Sequence, residues 1–169
     1  MSALSLLPLA ADGLVSFVGL LHVYIFRLES LTWYRGSARG FGVSPANYDA
    51  TAGFAANQGF YNLVLAAGLL QSVWSGEWNN KVWFSAAVLC CGIIGFITTG
   101  SAKILQAQCL PATLALVALF AADAAKGALA TSALGGVGAA AAATVVLSLF
   151  VKARLKADAA FHAKKRGGQ

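Results

Sequence analysis

The stretch AANQGFYNLVLAAGLL, residues 55–70, has two halves that ask for different surroundings. The second half has the small, apolar composition of a membrane-spanning helix. The first half places Asn57, Gln58, Tyr61 and Asn62 within six residues. Polar groups at membrane depth are costly unless paired, so any fold for this chain must give three amides and a phenol something to bond.

The rest of the chain resembles the second half. Its 169 residues are 59% hydrophobic and 11% charged, with mean hydropathy +0.72, whereas a soluble domain carries about 25% charged residues. That composition excludes an ordinary soluble domain and predicts an all-α polytopic membrane helical bundle. Apolar runs near the spanning length of about 20 residues occupy residues 6–26, 57–74, 82–99, 105–125 and 134–151. Pro8 and Asp12 lie in the first run and predict an outer end nearer Gly13. Ser44 followed by Pro45 is an N-cap and first-turn pair. It predicts that the second helix starts well before its apolar part and runs amphipathically through Tyr48 and Phe54. The opening MSALSLLPLAA has no Lys or Arg before its apolar residues and is not rich in Arg and Ser. It is therefore read as neither a secretory signal nor a mitochondrial or plastid presequence.

Five spans make the connecting segments alternate between sides. Arg27, Arg35, Arg39, Lys103, Lys152, Arg154, Lys156, Lys164, Lys165 and Arg166 then share one side, ten cations against Lys81 and Lys126 on the other. The positive-inside rule gives an N-terminus outside and a C-terminus inside. Trp74, Trp78 and Trp83 flank one boundary, and Trp33 and Tyr34 follow the first span at the other, as interfacial aromatics do. The net charge of +6 is thus assigned to the inner leaflet or an acidic partner rather than to nucleic acid.

The same alternation gathers the polar residues. His22 and Glu29 are two turns apart on one face of the first helix. Asn57, Gln58, Tyr61 and Asn62 sit at the inner end of the second helix and cover a sector of about 140°. The fourth span begins on the same side with Gln106, Gln108 and Pro111. We therefore expect one inner-leaflet cluster of His22, Glu29, Asn57, Gln58, Tyr61, Asn62 and Gln108. Two readings of it stay open. The cluster either holds helices together through interhelical hydrogen bonds, or forms a pocket in which a His/Glu pair moves protons while amides orient a carbonyl or hydroxyl. No catalytic residue is assigned, and whether the chain is an enzyme stays open.

Cys90, Cys91 and Cys109 lie in or beside apolar runs without metal-ligand spacing, so they read as small buried hydrophobes. No metal or other cofactor is assigned. Gly92, Gly95 and Gly100 are placed on one face of the third span. Gly135, Gly136, Gly138 and the run of alanines at 139–143 give the fifth span a small-residue surface suited to close helix contact.

With those residues in view, the chain resembles the family catalogued as domain of unknown function 1304, small four-helix membrane proteins. The similarity is carried by HVYIFRLESLTW (residues 22–33), FGVSP (41–45), AANQGFYN (55–62), LAAGLL (65–70) and QCLPATLAL (108–116). It covers roughly residues 10–125 and implies a four-helix bundle without implying a reaction. It also matches His22, Glu29, Trp33, Asn57, Gln58, Tyr61, Asn62, Gln108 and Pro111 to motif positions. Ser30 and Leu31 depart from the usual Met-Phe. Residues 129–169 add a fifth span and a basic tail, so the expected organisation is a four-helix bundle at 1–128 and an added helix at 129–169.

Two functional expectations follow. The first is a structural or accessory subunit of a larger membrane complex, embedded in the bilayer and joined to other subunits through the fifth helix and basic tail. The alternative is a cofactor-independent membrane enzyme or binding protein for a small lipophilic ligand such as a quinone, sterol or lipid. An energy-transducing organelle inner membrane and a cell membrane are equally compatible with the chain. A transporter is disfavoured, because no inverted repeat or broken-helix pair is visible.

Overall fold

A computed structural model of the chain describes residues 3–127 and 131–167, and every regular element among them is helical. Helix α1 (Ala3–Phe26) runs into a π turn at Arg27–Leu31. A 3₁₀ turn at Trp33–Arg35, the short α2 (Ser37–Gly40) and another 3₁₀ turn at Pro45–Asn47 lead into α3 (Tyr48–Ser75). A tight turn then enters α4 (Trp78–Thr99). One turn of helix, α5 (Ala102–Ile104), and a π turn at Leu105–Cys109 precede α6 (Leu110–Ala124). The last helix is α7 (Thr131–Gly167).

Helices α1, α3, α4 and α6 form an up-and-down ring in which each packs on the next and α6 returns to α1. The buried residues explain why. On α1 they are Ala11, Val15, Val18, His22 and Ile25, at alternating spacings of four and three. On α3 they are Ala55, Gly59, Asn62, Ala66, Leu69 and Ser72. This alternation keeps one narrow seam facing a neighbouring helix. Small residues dominate the seam of α3, so the two backbones approach closely, which matters where lipid offers no hydrophobic drive for helix association. A side chain on Gly59 would run into Ser30, and one on Gly68 into the Phe84 ring.

Chain direction changes where the residues require it. Gly76 and Gly100 end α3 and α4 with φ +73° each, the left-handed conformation that glycine adopts without strain. Gly100 is therefore a cap and not part of the packing face expected for it. Gly92 and Gly95 do pack: side chains there would meet Cys109 and Ile104, respectively. Pro111 has no N–H for the Ala107 carbonyl and crowds it. The preceding turn widens to π spacing, with Leu110 N–H bonded to Leu105 O.

Four helical stretches are long and apolar enough to cross a membrane, Leu6–Leu31, Trp78–Thr99, Ala102–Ala124 and Ala133–Ala160. The first begins at Leu6, as the apolar run at residues 6–26 does. Pro8 lies so near the start of α1 that its missing N–H costs only one bond to the first turns, and the helix continues through it. Helix α3 contains the expected span at 57–74 and has the length, at 28 residues, yet it is not among the four. The amides of its first half lower its hydropathy, and it lies along α1 as a packed partner. Ser44 has extended backbone and makes no side-chain cap. The helix proper starts at Tyr48 after the Pro45–Asn47 turn. The expected boundary at 128/129 falls outside the described residues.

Helix α7 stands apart from the ring and packs on α4. Only 6% of its apolar stretch is buried within the chain, against 22–28% for the other three. Residues 131–151 span about 31 Å at 1.5 Å per residue, matching the hydrocarbon core of about 30 Å. Lys152 and the residues after it continue the helix beyond that depth.

Candidate functional site

Two contacts establish which ends of the helices meet. Lys103 Nζ donates to Gly40 O at 3.3 Å, bringing the segment after α1 beside the α4–α5 turn. Lys81 Nζ donates to Asp12 Oδ1 at 2.5 Å, bringing the start of α1 to the start of α4. The polar residues expected to cluster lie toward the first of these ends.

At that end Asn62 Nδ2 donates to Glu29 Oε2 at 2.8 Å and also to Gln58 O at 3.2 Å. Glu29 reaches α3 because it sits in the π turn that ends α1. Next to it Ser30 Oγ donates to Ala56 O at 3.0 Å. Gly59 leaves room for both residues, as its pro-Cβ position faces Ser30 and the Glu29 Cβ. The edge-to-face pair Phe26–Phe60, with centroids 5.5 Å apart, seals the same crossing.

His22 is fully buried on the α1 seam, with Nδ1 2.8 Å from Val18 O. A carbonyl accepts only from N–H, so Nδ1 carries a proton, and in the neutral ring Nε2 presents a lone pair. That Nε2 atom is buried without a protein partner, and His22 and Glu29 form no ion pair or hydrogen bond with each other. Asn57, Gln58 and Tyr61 are exposed on the outer surface of α3. Gln108 is half-buried in the second π turn, its Cβ set against Gly92 of α4. Of the seven residues, the structure joins Glu29 and Asn62 side chain to side chain, buries His22 on the same seam, and places Gln108 against a different helix.

A cleft of about 290 Å³ opens beside Glu29, walled by Glu29, Trp33, Tyr34, Arg35, Ala52 and Ala56. Trp33 is held by Phe41, 5.7 Å away between centroids, and by Ala38 and Ala55. The Tyr34 hydroxyl donates to Asp49 Oδ1 at 3.0 Å. That hydrogen bond, with burial and the carboxylate charge adding to it, raises the Tyr34 pKa above the ordinary phenol value. The opposite end of the bundle holds a polar set that sequence reasoning missed. Lys81 is buried against Asp12, and Ser85 Oγ and Trp78 Nε1 are buried there without partners. Alternation puts Asp12 and Lys81 at the same end and at similar depth, which was the available signal. Among the described residues no three His, Cys, Asp or Glu side chains converge as a metal site, and the three cysteines are free.

Neither the comparison with curated proteins nor that with solved structures returned a match. The family model described as Protein of unknown function (DUF1304) matches residues 16–120. This range runs from α1 into α6, takes in the Glu29–Asn62 crossing and the Trp33 cleft, and leaves α7 outside. With more than half of its length matched, from the first helix of the ring into the last, the chain belongs to the DUF1304 family.

Proposed function

We propose that this protein is a structural or accessory subunit of a larger membrane assembly, joined to its neighbours through α7 and the basic helical extension. The observation that carries this reading is how little of α7 the chain itself buries, 6% of its apolar stretch. Gly136 and Ala140 line a cleft with α4, whereas Gly135, Gly138, Ala139 and Ala142 are exposed and fall on the opposite side at 100° per residue. Nothing lies within 4 Å of where side chains at Gly135 and Gly138 would project. A ridge of small residues gains little against lipid tails but lets a second helix approach closely. Beyond the bilayer depth the helix presents Lys152, Arg154 and Lys156, all exposed. The side chains of Lys164, Lys165 and Arg166 lie outside the described residues. The excess of cations supports an orientation with the Lys103 end and the extension inward.

The test is native electrophoresis of source membranes solubilised in a mild detergent, with wild type compared to a Gly135→Leu/Gly138→Leu variant. The expected result is a wild-type band heavier than the chain's own oligomers that is lost in the variant at unchanged melting temperature. A free chain in both samples overturns the reading.

The cleft beside Glu29 supports a second reading, a binding protein for a small amphiphile. It sits where the first span ends, at the interface between apolar and polar surroundings, and carries ionic and aromatic groups together.

A further inference from the structure

The cleft at the end of α1 is lined by an acidic and a basic side chain that form no ion pair with each other. Glu29 uses Oε2 for Asn62, and among the described residues no hydrogen bond reaches Oε1. The Arg35 side chain, in the 3₁₀ turn that follows the span, is exposed and has no hydrogen-bond or ion-pair partner among the described residues. Both line the same cleft, and they form no ion pair with each other. A carboxyl group and a guanidinium that line one opening without pairing offer complementary partners to the two ends of a zwitterion.

Building on the reading of this cleft as an amphiphile site, we propose that it binds a phosphoethanolamine group, with Arg35 on the phosphate and Glu29 Oε1 on the primary ammonium. Guanidinium is the side chain suited to planar, two-point contact with phosphate oxygens. Glu29 Oε1 needs an N–H donor, which a primary ammonium supplies and a trimethylammonium lacks. A quinone or sterol offers only carbonyl or hydroxyl groups and leaves both charges uncompensated. The volume of about 290 Å³ is at the small end for ligand pockets, suited to a headgroup whose acyl chains remain outside. Position agrees as well, because Glu29 ends the apolar stretch Leu6–Leu31 and Trp33 and Tyr34 mark interfacial depth. The same group occurs on phosphatidylethanolamine and as free phosphoethanolamine.

The experiment uses the full-length chain in nanodiscs containing equal amounts of phosphatidylethanolamine, phosphatidylglycerol and phosphatidylcholine. Native mass spectrometry after release of the nanodisc reads the retained lipid. Wild type is expected to retain phosphatidylethanolamine about tenfold over phosphatidylcholine, the ratio that one ionic hydrogen bond commands. Glu29→Gln should abolish the preference for phosphatidylethanolamine over phosphatidylglycerol. Arg35→Gln, at an exposed side chain without partners, should fold normally and lose retention of both. Displacement by free phosphoethanolamine assigns the soluble compound, and resistance to it assigns the lipid; either supports the shared chemistry. Retention of the three lipids in their bulk ratio, unchanged by both variants, overturns the proposal but leaves an amphiphile site standing. Retention of no lipid overturns both.

Discussion

Lys81 Nζ and Asp12 Oδ1 meet at 2.5 Å, joining α1 and α4, which are diagonal in the four-helix ring. The lysine side chain is 9% exposed and the aspartate 36%, so the ammonium depends on this carboxylate more than the reverse. Removing one partner of a fully buried pair costs about 3–5 kcal/mol. With Asp12 partly exposed, Asp12→Ala should cost about 2–3 kcal/mol, and adding Lys81→Met should recover most of it. Unfolding in mixed micelles measures both. A single-variant loss within about 0.5 kcal/mol would assign the pair no structural role.

The ring of helices was legible because its signals are long and repeated. The apolar runs place α1, α4, α6 and α7, and His22 falls on the α1 face that packs inward. Less legible was anything decided by a local change of helix pitch. Nothing in RLES announces a π turn, yet that turn sets Glu29 against Asn62 and Ser30 against Ala56. Periodicity assigns Asn57, Gln58, Tyr61 and Asn62 a broad sector but not its orientation, and only Asn62 falls on the seam. Gln108 shows the same limit, since Pro111 and the π turn before it set its Cβ on Gly92.

Among the described residues Asn62 is the one side chain donating to Glu29, and its replacement should be felt at once. Asn62→Leu leaves the half-buried carboxylate without that donor, a loss of about 1–3 kcal/mol. Asn62→Asp should be worse, because it places a like charge at hydrogen-bond distance. Melting temperatures in detergent should rank wild type above Asn62→Leu and Asn62→Leu above Asn62→Asp. Equal values for all three would show that the contact does not hold α1 to α3.

Two glycine substitutions should act in opposite directions. At Gly59 a methyl group meets Ser30 and lies 3.1 Å from Glu29 Cβ. The helices must then separate, and overpacking of this kind costs about 1–3 kcal/mol. At Gly135 nothing lies within 4 Å, so Gly135→Ala should stabilise α7 by about 0.5–1 kcal/mol through helix propensity alone. Comparing the two in one micellar unfolding assay removes the membrane mimetic as a variable. A harmless Gly59→Ala would mean that α1 and α3 do not cross as closely as described.

The Tyr34–Asp49 hydrogen bond gives the connecting segment a definite pH dependence. Because the carboxylate accepts from the neutral phenol, the bond raises the folded-state pKa of Tyr34. Its contribution is therefore fully present below the unfolded tyrosine value of about 10 and is lost as pH rises through the higher folded value. Subtracting the ultraviolet titration of Tyr34→Phe from that of wild type isolates this phenol. Its midpoint should lie above that of a free tyrosine and should fall in Asp49→Asn, where the charge that holds the proton is gone. Amide protection between residues 32 and 47, taken relative to the intrinsic base-catalysed exchange rate, should fall across the same pH interval in wild type and remain flat in Tyr34→Phe. A midpoint at or below the ordinary phenol value would show that Tyr34 does not tie this segment to the start of α3.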